Sequence, residues 1–197
     1  MLLGLIIEAI TGRTYAEACA GRVLTRAGIK EPALEPTWGR LTLSSAGWAL
    51  SGPEYLAFVR VFDRRHDGPL TPATQRWLRE SDGRWSNEPR TNAYTLGIQL
   101  YLRTGAEPNI FHSGSWLWNQ SDASGGSIRE RRGTWFILAA DGTAWFASYD
   151  GLHSDEDRPK VTELHEALWQ AYRLVTSWPA HDLFPSMGIG PVSRSRR

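Results

Sequence analysis

Trp135-Phe136-Ile137-Leu138-Ala139-Ala140-Asp141-Gly142-Thr143-Ala144-Trp145-Phe146-Ala147-Ser148-Tyr149 decides the fold class. Two runs rich in aromatic and apolar residues flank Asp141-Gly142, a dipeptide that supplies the positive φ angles of a two-residue type I′ turn, so the stretch reads as an antiparallel hairpin. Trp135, Ile137 and Ala139 fall on one face of the first strand and Phe136, Leu138 and Ala140 on the other. With both faces apolar, each is expected to be covered by other elements.

Working outward from this hairpin, Pro159 opens a segment in which Val161, Leu164, Leu168, Tyr172 and Val175 recur at helical spacing. That spacing predicts a long helix docking one apolar face on the sheet. Upstream, Tyr94 to Leu102 reads as a strand ending at Thr104-Gly105, and Asn109 to His112 as another. Further upstream the chain turns helical. Leu2 to Ile10 reads as a buried helix closed by Gly12, and Thr14 with Glu17 forms a capping box for a helix that Gly28 ends. Glu31 to Pro36 is a proline-bearing loop. Ser51 with Glu54 repeats the capping logic ahead of a stripe of Tyr55, Phe58, Val59 and Phe62, and Thr71-Pro72 starts a shorter helix anchored by Trp77 and Leu78. Helices, then strands, then one helix predict an α+β fold built on an antiparallel sheet. Residues 1–185 are expected to form one domain, and residues 186–197, rich in Gly, Ser and Arg, a flexible basic tail.

The chain has 197 residues, 41% of them hydrophobic and 22% charged, with a formal net charge of +1. Near-neutrality argues against a protein built to neutralise phosphates, so no nucleic-acid partner is expected, although twenty of the twenty-two basic residues are arginine. No apolar run approaches the length of a membrane span. The start MLLGLIIEAI lacks a basic flank, carries Glu8 and has no small-residue cleavage site, so it is not read as a signal peptide. The single Cys19 cannot form an internal disulfide and, inside a predicted helix, reads as packing rather than as a nucleophile. No compartment follows from these features.

Motif spacing removes several enzyme classes. Lysine occurs only at Lys30 and Lys160, and the positions three residues earlier are Ala27 and Asp157, so no Ser-x-x-Lys pair exists. Gly-x-Ser-x-Gly, His-Glu-x-x-His and a glycine-rich phosphate loop are also absent. The histidines at 66, 112, 153, 165 and 181 show no zinc-ligand spacing, so neither metal nor cofactor is expected. The acidic cluster Asp150, Asp155, Glu156 and Asp157 beside His153 reads as helix-dipole compensation. Of the ten tryptophans, Trp116 and Trp118 lie in the polar segment Ser115-Trp-Leu-Trp-Asn119, a pattern suited to stacking on sugars but read first as cleft-wall packing. His112-Ser113-Gly114-Ser115 closes a predicted strand with small residues, and a turn there leaves backbone amides accessible to a developing oxyanion.

Taken in order, six segments resemble the β-lactamase-like serine hydrolases, which include class C β-lactamases, DD-peptidases and related esterases. They are Leu3-Gly4-Leu5-Ile6-Ile7-Glu8, Thr11-Gly12-x-x-Tyr15, Ser45-Ala46-Gly47-Trp48-Ala49-Leu50-Ser51, Leu70-Thr71-Pro72-Ala73-Thr74, Tyr94-Thr95-Leu96-Gly97 and His112-Ser113-Gly114. The resemblance runs over residues 2–175. It implies the C-terminal portion of a β-lactamase/transpeptidase-like fold, because the family's Ser-x-x-Lys and Tyr-x-Asn motifs would both lie upstream of Met1. Trp48 stands where the family has a second glycine, and Trp116 to Asn119 replace a glycine-rich stretch.

For the site, the resemblance implies that the Ser115 N–H is one oxyanion-hole donor and that His112 stands at the triad-motif position that polarises the pocket. Ser113, Gly114 and Trp116 would contact substrate. The activity implied is acyl transfer or hydrolysis of an ester, β-lactam or peptide amide through a serine acyl-enzyme, with a small-molecule or peptide acyl substrate. Without the nucleophile this chain is expected to be inactive alone, either as a fragment or mis-started reading frame of an active enzyme or as half of a split enzyme completed by another chain that carries the N-terminal half. The reading from another class is a non-catalytic module holding glycan or peptide in a tryptophan-lined cleft.

Overall fold

The computed structural model describes residues 2–36, 42–65, 68–80, 84–85, 91–103, 106–121, 124–152, 157–181 and 183–190. It is an α+β protein with antiparallel strand pairing. Five α-helices are described: α1 (Leu2–Thr11), α2 (Tyr15–Cys19), α3 (Gly52–Val59), α4 (Pro72–Glu80) and α5 (Arg158–Leu174). A two-stranded sheet pairs β1 (Ala33–Leu34) with β2 (Trp48–Ala49). A six-stranded sheet runs in chain order through β3 (Arg84–Trp85), β4 (Asn92–Tyr94), β5 (Gln99–Arg103), β6 (Ala106–Ser121), β7 (Ser127–Leu138) and β8 (Ala144–Leu152). The residues gather into two units. The first takes Met1–Phe111, Ile137–Phe146 and Leu183–Arg197, and the second His112–Phe136 and Ala147–Asp182.

Local sequence explains the helix starts. Thr14 Oγ1 accepts from Glu17 N while the Glu17 carboxylate accepts from Thr14 N at 3.0 Å, and Ser51 with Glu54 does the same at 2.8 Å, so both capping boxes form. The helix expected to run from Thr14 to Gly28 instead changes to a π-helical stretch, Ala20–Leu24, which turns Leu24 into the core. In α4 the expected anchor pair is half right. Leu78 is buried, but Trp77 is 58% exposed and Gln75 takes the inward place, donating to the Val61 carbonyl at 2.7 Å.

The strands differ from the sequence expectation in two places. Tyr94 to Leu102 is two strands, because Thr95 N bonds Ile98 O around Gly97, which has φ +80°. The 135–149 hairpin forms, but Ala139 N donates to Thr143 O and Gly142 N to Ala139 O, so Ala140 and Asp141 are the central residues of the turn. Gly142, at φ +87°, follows it. This three-residue loop with a left-handed glycine replaces the two-residue turn. As expected, the first strand of the hairpin is covered on both faces over Trp135 to Ala139, all of which are buried.

The first unit's core collects Leu24, Ala27, Ile29, Ala57, Val61 and Ile189. Each large member contributes roughly 1.5–3 kcal/mol by leaving water. Gly28 allows the chain end to close over it. Its φ is +92°, its carbonyl accepts from Gly190 N at 2.9 Å, and a Cβ there would lie 2.1 Å from the Gly190 oxygen. The tail expected from Ser186 is therefore anchored as far as Gly190, with Ile189 buried; residues 191–197 lie outside the described residues.

In the second unit the expected stripe of α5 is covered in part: Val161, Leu168 and Tyr172 are half-buried, whereas Leu164 and Val175 are exposed. His165 packs on the Trp135 ring, with centroids 6.0 Å apart, and accepts a hydrogen bond from Trp169 Nε1 through its Nε2 at 2.9 Å. Tyr149 also lies against Trp135, and a Cβ at Gly133 would meet its ring at 2.3 Å. Among the described residues, no helix is long and apolar enough to cross a membrane.

Candidate functional site

The residues singled out by sequence, His112 to Trp116, lie in the middle of β6 rather than at a turn, because the strand continues to Ser121. They extend beyond the end of a neighbouring strand. The pairing of β5 with β6 is Gln99↔Phe111, Leu100↔Ile110 and Tyr101↔Asn109, so β5 stops opposite Phe111. Among the described strand pairs, none runs beside 112–121 on that side.

Alternation of backbone hydrogen bonds then gives the direction of each amide. Thr95 N bonds Ile98 O and Leu102 N bonds Thr91 O, so the even-numbered residues of β5 turn their backbone groups to β4 and the odd-numbered ones to β6. Gln99 and Tyr101 therefore face Phe111 and Asn109, and the odd-numbered residues of β6 turn theirs toward β5. Regular alternation continued along the strand would turn the N–H and C=O of Ser113, Ser115 and Leu117 to that side and those of His112, Gly114 and Trp116 to β7.

Residues 113–117 are exposed, with Trp116 at 43% and Leu117 at 42%. A Cβ built at Gly114 meets nothing within 4 Å, so open space surrounds it. His112 is half-buried, and burial lowers its pKa below the usual imidazole value, which keeps the ring neutral near pH 7. The side chains of Trp118 and Asn119 lie outside the described residues, as do His153, Asp155 and Glu156 of the acidic cluster. The arrangement offers an extended backbone edge and an exposed indole. No Ser-x-x-Lys nucleophile pair is supplied by this sequence.

A cluster that sequence reasoning missed lies in the first unit. Asp63, Arg64, Arg65, Arg79, Glu107, Pro108, Ile110 and Leu138–Ala140 line a cleft of about 80 Å³. Arg65 clamps Asp63 with Nε and NH2, each at 2.9 Å, and Arg79 reaches Glu107 at 2.9 Å and the Phe62 carbonyl. Arg64 adds a 3.1 Å contact to the same Glu107. Burial lowers the pKa of Arg79, opposed by Glu107. Every carboxylate here is committed to a guanidinium, so the cluster ties the end of α3 to α4 and β6 and offers no nucleophile. The run Phe62-Asp-Arg-Arg65 was its only signal in sequence, and such charge runs ordinarily face water.

Cys19 is half-buried, and burial raises the pKa of its thiol, with the nearby Tyr15 and Trp48 side chains opposing; the Tyr15 hydroxyl is itself pushed up to about 12, chiefly by burial. A thiol kept protonated at pH 7 is a poor nucleophile. Among the described residues, no group of three or more His, Cys, Asp or Glu side chains is placed to share a metal ion. Comparison with protein-family models, with curated proteins and with solved structures gave no match to this chain.

Proposed function

We propose that the chain is the C-terminal part of a β-lactamase-like serine hydrolase, with a partial β-lactamase/transpeptidase-like fold. In this reading it holds the acyl substrate while a second polypeptide segment supplies the serine, lysine and tyrosine that do the bond-making. The observation that carries the reading is the edge of β6 beyond Phe111, beside which no described strand pair runs and toward which regular alternation would turn the Ser115 N–H, next to His112, Ser113 and Gly114. An extended ester, β-lactam or peptide amide laid along that edge would present its carbonyl oxygen to the Ser115 N–H. One such donor, fixed before the reaction, stabilises the oxyanion as it develops. His112, neutral at pH 7, would polarise the pocket without adding charge, and the open space at Gly114 would let the substrate approach. Trp116 would form a wall of the pocket.

The experiment is complementation. The chain is produced joined to the coding sequence upstream of Met1, and hydrolysis of nitrocefin and p-nitrophenyl esters is measured beside the chain alone. Gain of activity supports the reading, and no gain overturns it. In the active form Ser115→Pro removes the N–H at an edge position where proline is tolerated, and its expected effect is a fall of roughly 10²–10³-fold in kcat.

A second reading rests on Trp116, an exposed indole beside the open edge: a non-catalytic module that stacks this ring on glycan or peptide. Muropeptide would then shift the intrinsic tryptophan fluorescence, and Trp116→Ala would abolish the shift. Mass increments from a fluorescent penicillin would decide for the hydrolase.

A further inference from the structure

Helix α1 is turned inside out relative to an ordinary surface helix. At 3.6 residues per turn, Leu5, Ala9, Leu2, Ile6, Ile10 and Leu3 occupy one continuous arc of about 160°. Contrary to the expected burial of this helix, the structure leaves that arc in water: Leu2 is 71% exposed, Leu3 74%, Leu5 62%, Ile6 43% and Ile10 79%, and Gly4 alone of its residues is buried. The opposite face carries the helix's polar groups and faces the protein. Glu8 accepts the Tyr15 N–H at 2.8 Å, Thr11 Oγ1 bonds the Ile7 carbonyl at 2.7 Å, and Gly4 lets the helix approach Ser44 so closely that a Cβ would lie 2.7 Å from it. Five leucine and isoleucine side chains so exposed leave on the order of 600 Å² of apolar surface, at the upper limit for an ordinary monomer.

We infer that this face pairs with the same face of a second copy of the chain, α1 against α1 across a two-fold axis. Area, charge and shape favour that occupant. Two such faces brought together remove up to on the order of 1,200 Å², which reaches the lower bound of a specific, stable interface. In an isologous contact residue i meets residue j and j meets i, so a face bearing charge of one sign would repel its copy; this face has no charge, and the helix's one carboxylate is turned inward. Leu2, Ile6 and Ile10 form a ridge at i±4 spacing, and the row of Leu5 and the small Ala9 beside it forms a groove. One face therefore carries both halves of a ridge-into-groove contact. An anionic membrane surface is disfavoured, because α1 has no lysine or arginine. The inference does not rest on the hydrolase reading.

Sedimentation velocity on the full chain tests it. A reversible dimer with a roughly micromolar midpoint is expected. Leu3→Glu and, separately, Ile10→Glu are expected to leave a monomer at about 100 µM with an unchanged circular dichroism spectrum, while Arg22→Glu, exposed and away from the face, keeps the dimer. Ile6→Cys in a Cys19→Ala background is expected to cross-link to its mate on oxidation, since Ile6 is the centre of the ridge. A wild-type monomer at about 100 µM, a dimer that survives both glutamate variants, or open-ended aggregation would each overturn the inference. So would partition of a monomer onto neutral or anionic vesicles, or a dimer that fails to cross-link through Ile6→Cys.

Discussion

The two halves of β6 share one strand and differ in everything that surrounds it. Residues 109–111 have β5 beside them: Ile110 is 1% exposed, and the Asn109 side chain, 5% exposed, accepts from Ala140 N at 2.9 Å. Among the described strand pairs none runs beside residues 113–117 on that side, and these residues are exposed. The difference teaches that a strand's burial depends on what lies beside it, and that the same backbone can be core at one end and solvent-exposed a few residues later.

The most damaging test is truncation in the covered half. Ile110→Ala is expected to destabilise by about 2–5 kcal/mol in urea unfolding, because a filled site becomes a cavity, whereas Leu117→Ala, in the exposed half, stays within about 0.5 kcal/mol. Equal costs would break the comparison. Next in size is Gly133→Ala in the second unit, where a Cβ would press into the Tyr149 ring; the expected loss is about 1–3 kcal/mol. A neutral result would mean that Tyr149 is free to move.

A pH titration comes third. Burial lowers the pKa of His112 and of His165, with Glu166 opposing at the latter, and Trp169 donates to the lone pair of His165 that protonation would remove. Below about pH 6.5 the unfolded chain takes up these protons before the folded one does. Stability present above that pH is therefore lost as pH falls toward the folded-state values, and the loss flattens beneath them. Urea midpoints at pH 7.5 and 5.5 should show the fall, and His165→Gln should shrink it; an unchanged slope in that variant would remove His165 from the account. The smallest effect is expected at Gly114→Ala, within about 0.5 kcal/mol in stability, because nothing lies within 4 Å of the added methyl. A large loss would show that the distal half of β6 is packed after all.

Much of the helical part was legible from sequence because its signals are local. Thr14 with Glu17 and Ser51 with Glu54 bond within four residues of each other, and nothing distant competes with them. The hairpin at Asp141-Gly142 was legible in kind, but its turn shifted by one residue. The Leu96-Gly97 turn was read through as strand, since the apolar residues on both sides continue the same pattern. Trp77 was a misleading anchor. A large aromatic at helical spacing signals burial only if a surface lies opposite, and α4 turns Gln75 inward to meet the Val61 carbonyl instead. Of the candidate site, the sequence singled out His112 to Trp116 as a group, but not that they form mid-strand backbone. The Asp63–Arg65 and Arg79–Glu107 pairs were illegible, because 28 residues separate Arg79 from Glu107 and charge spacing carries no information at that range.

By itself the sequence determined the α+β class, the two capping boxes, the hairpin and the missing Ser-x-x-Lys, all matters of nearest-neighbour chemistry or of residue identity. Only the tertiary structure decided that β5 ends opposite Phe111, that Ile189 closes the first core, and that α1 turns its leucines to water. Those outcomes depend on which surfaces meet across long stretches of chain, and hydrophobic burial, being non-directional, does not encode its partner in any local pattern.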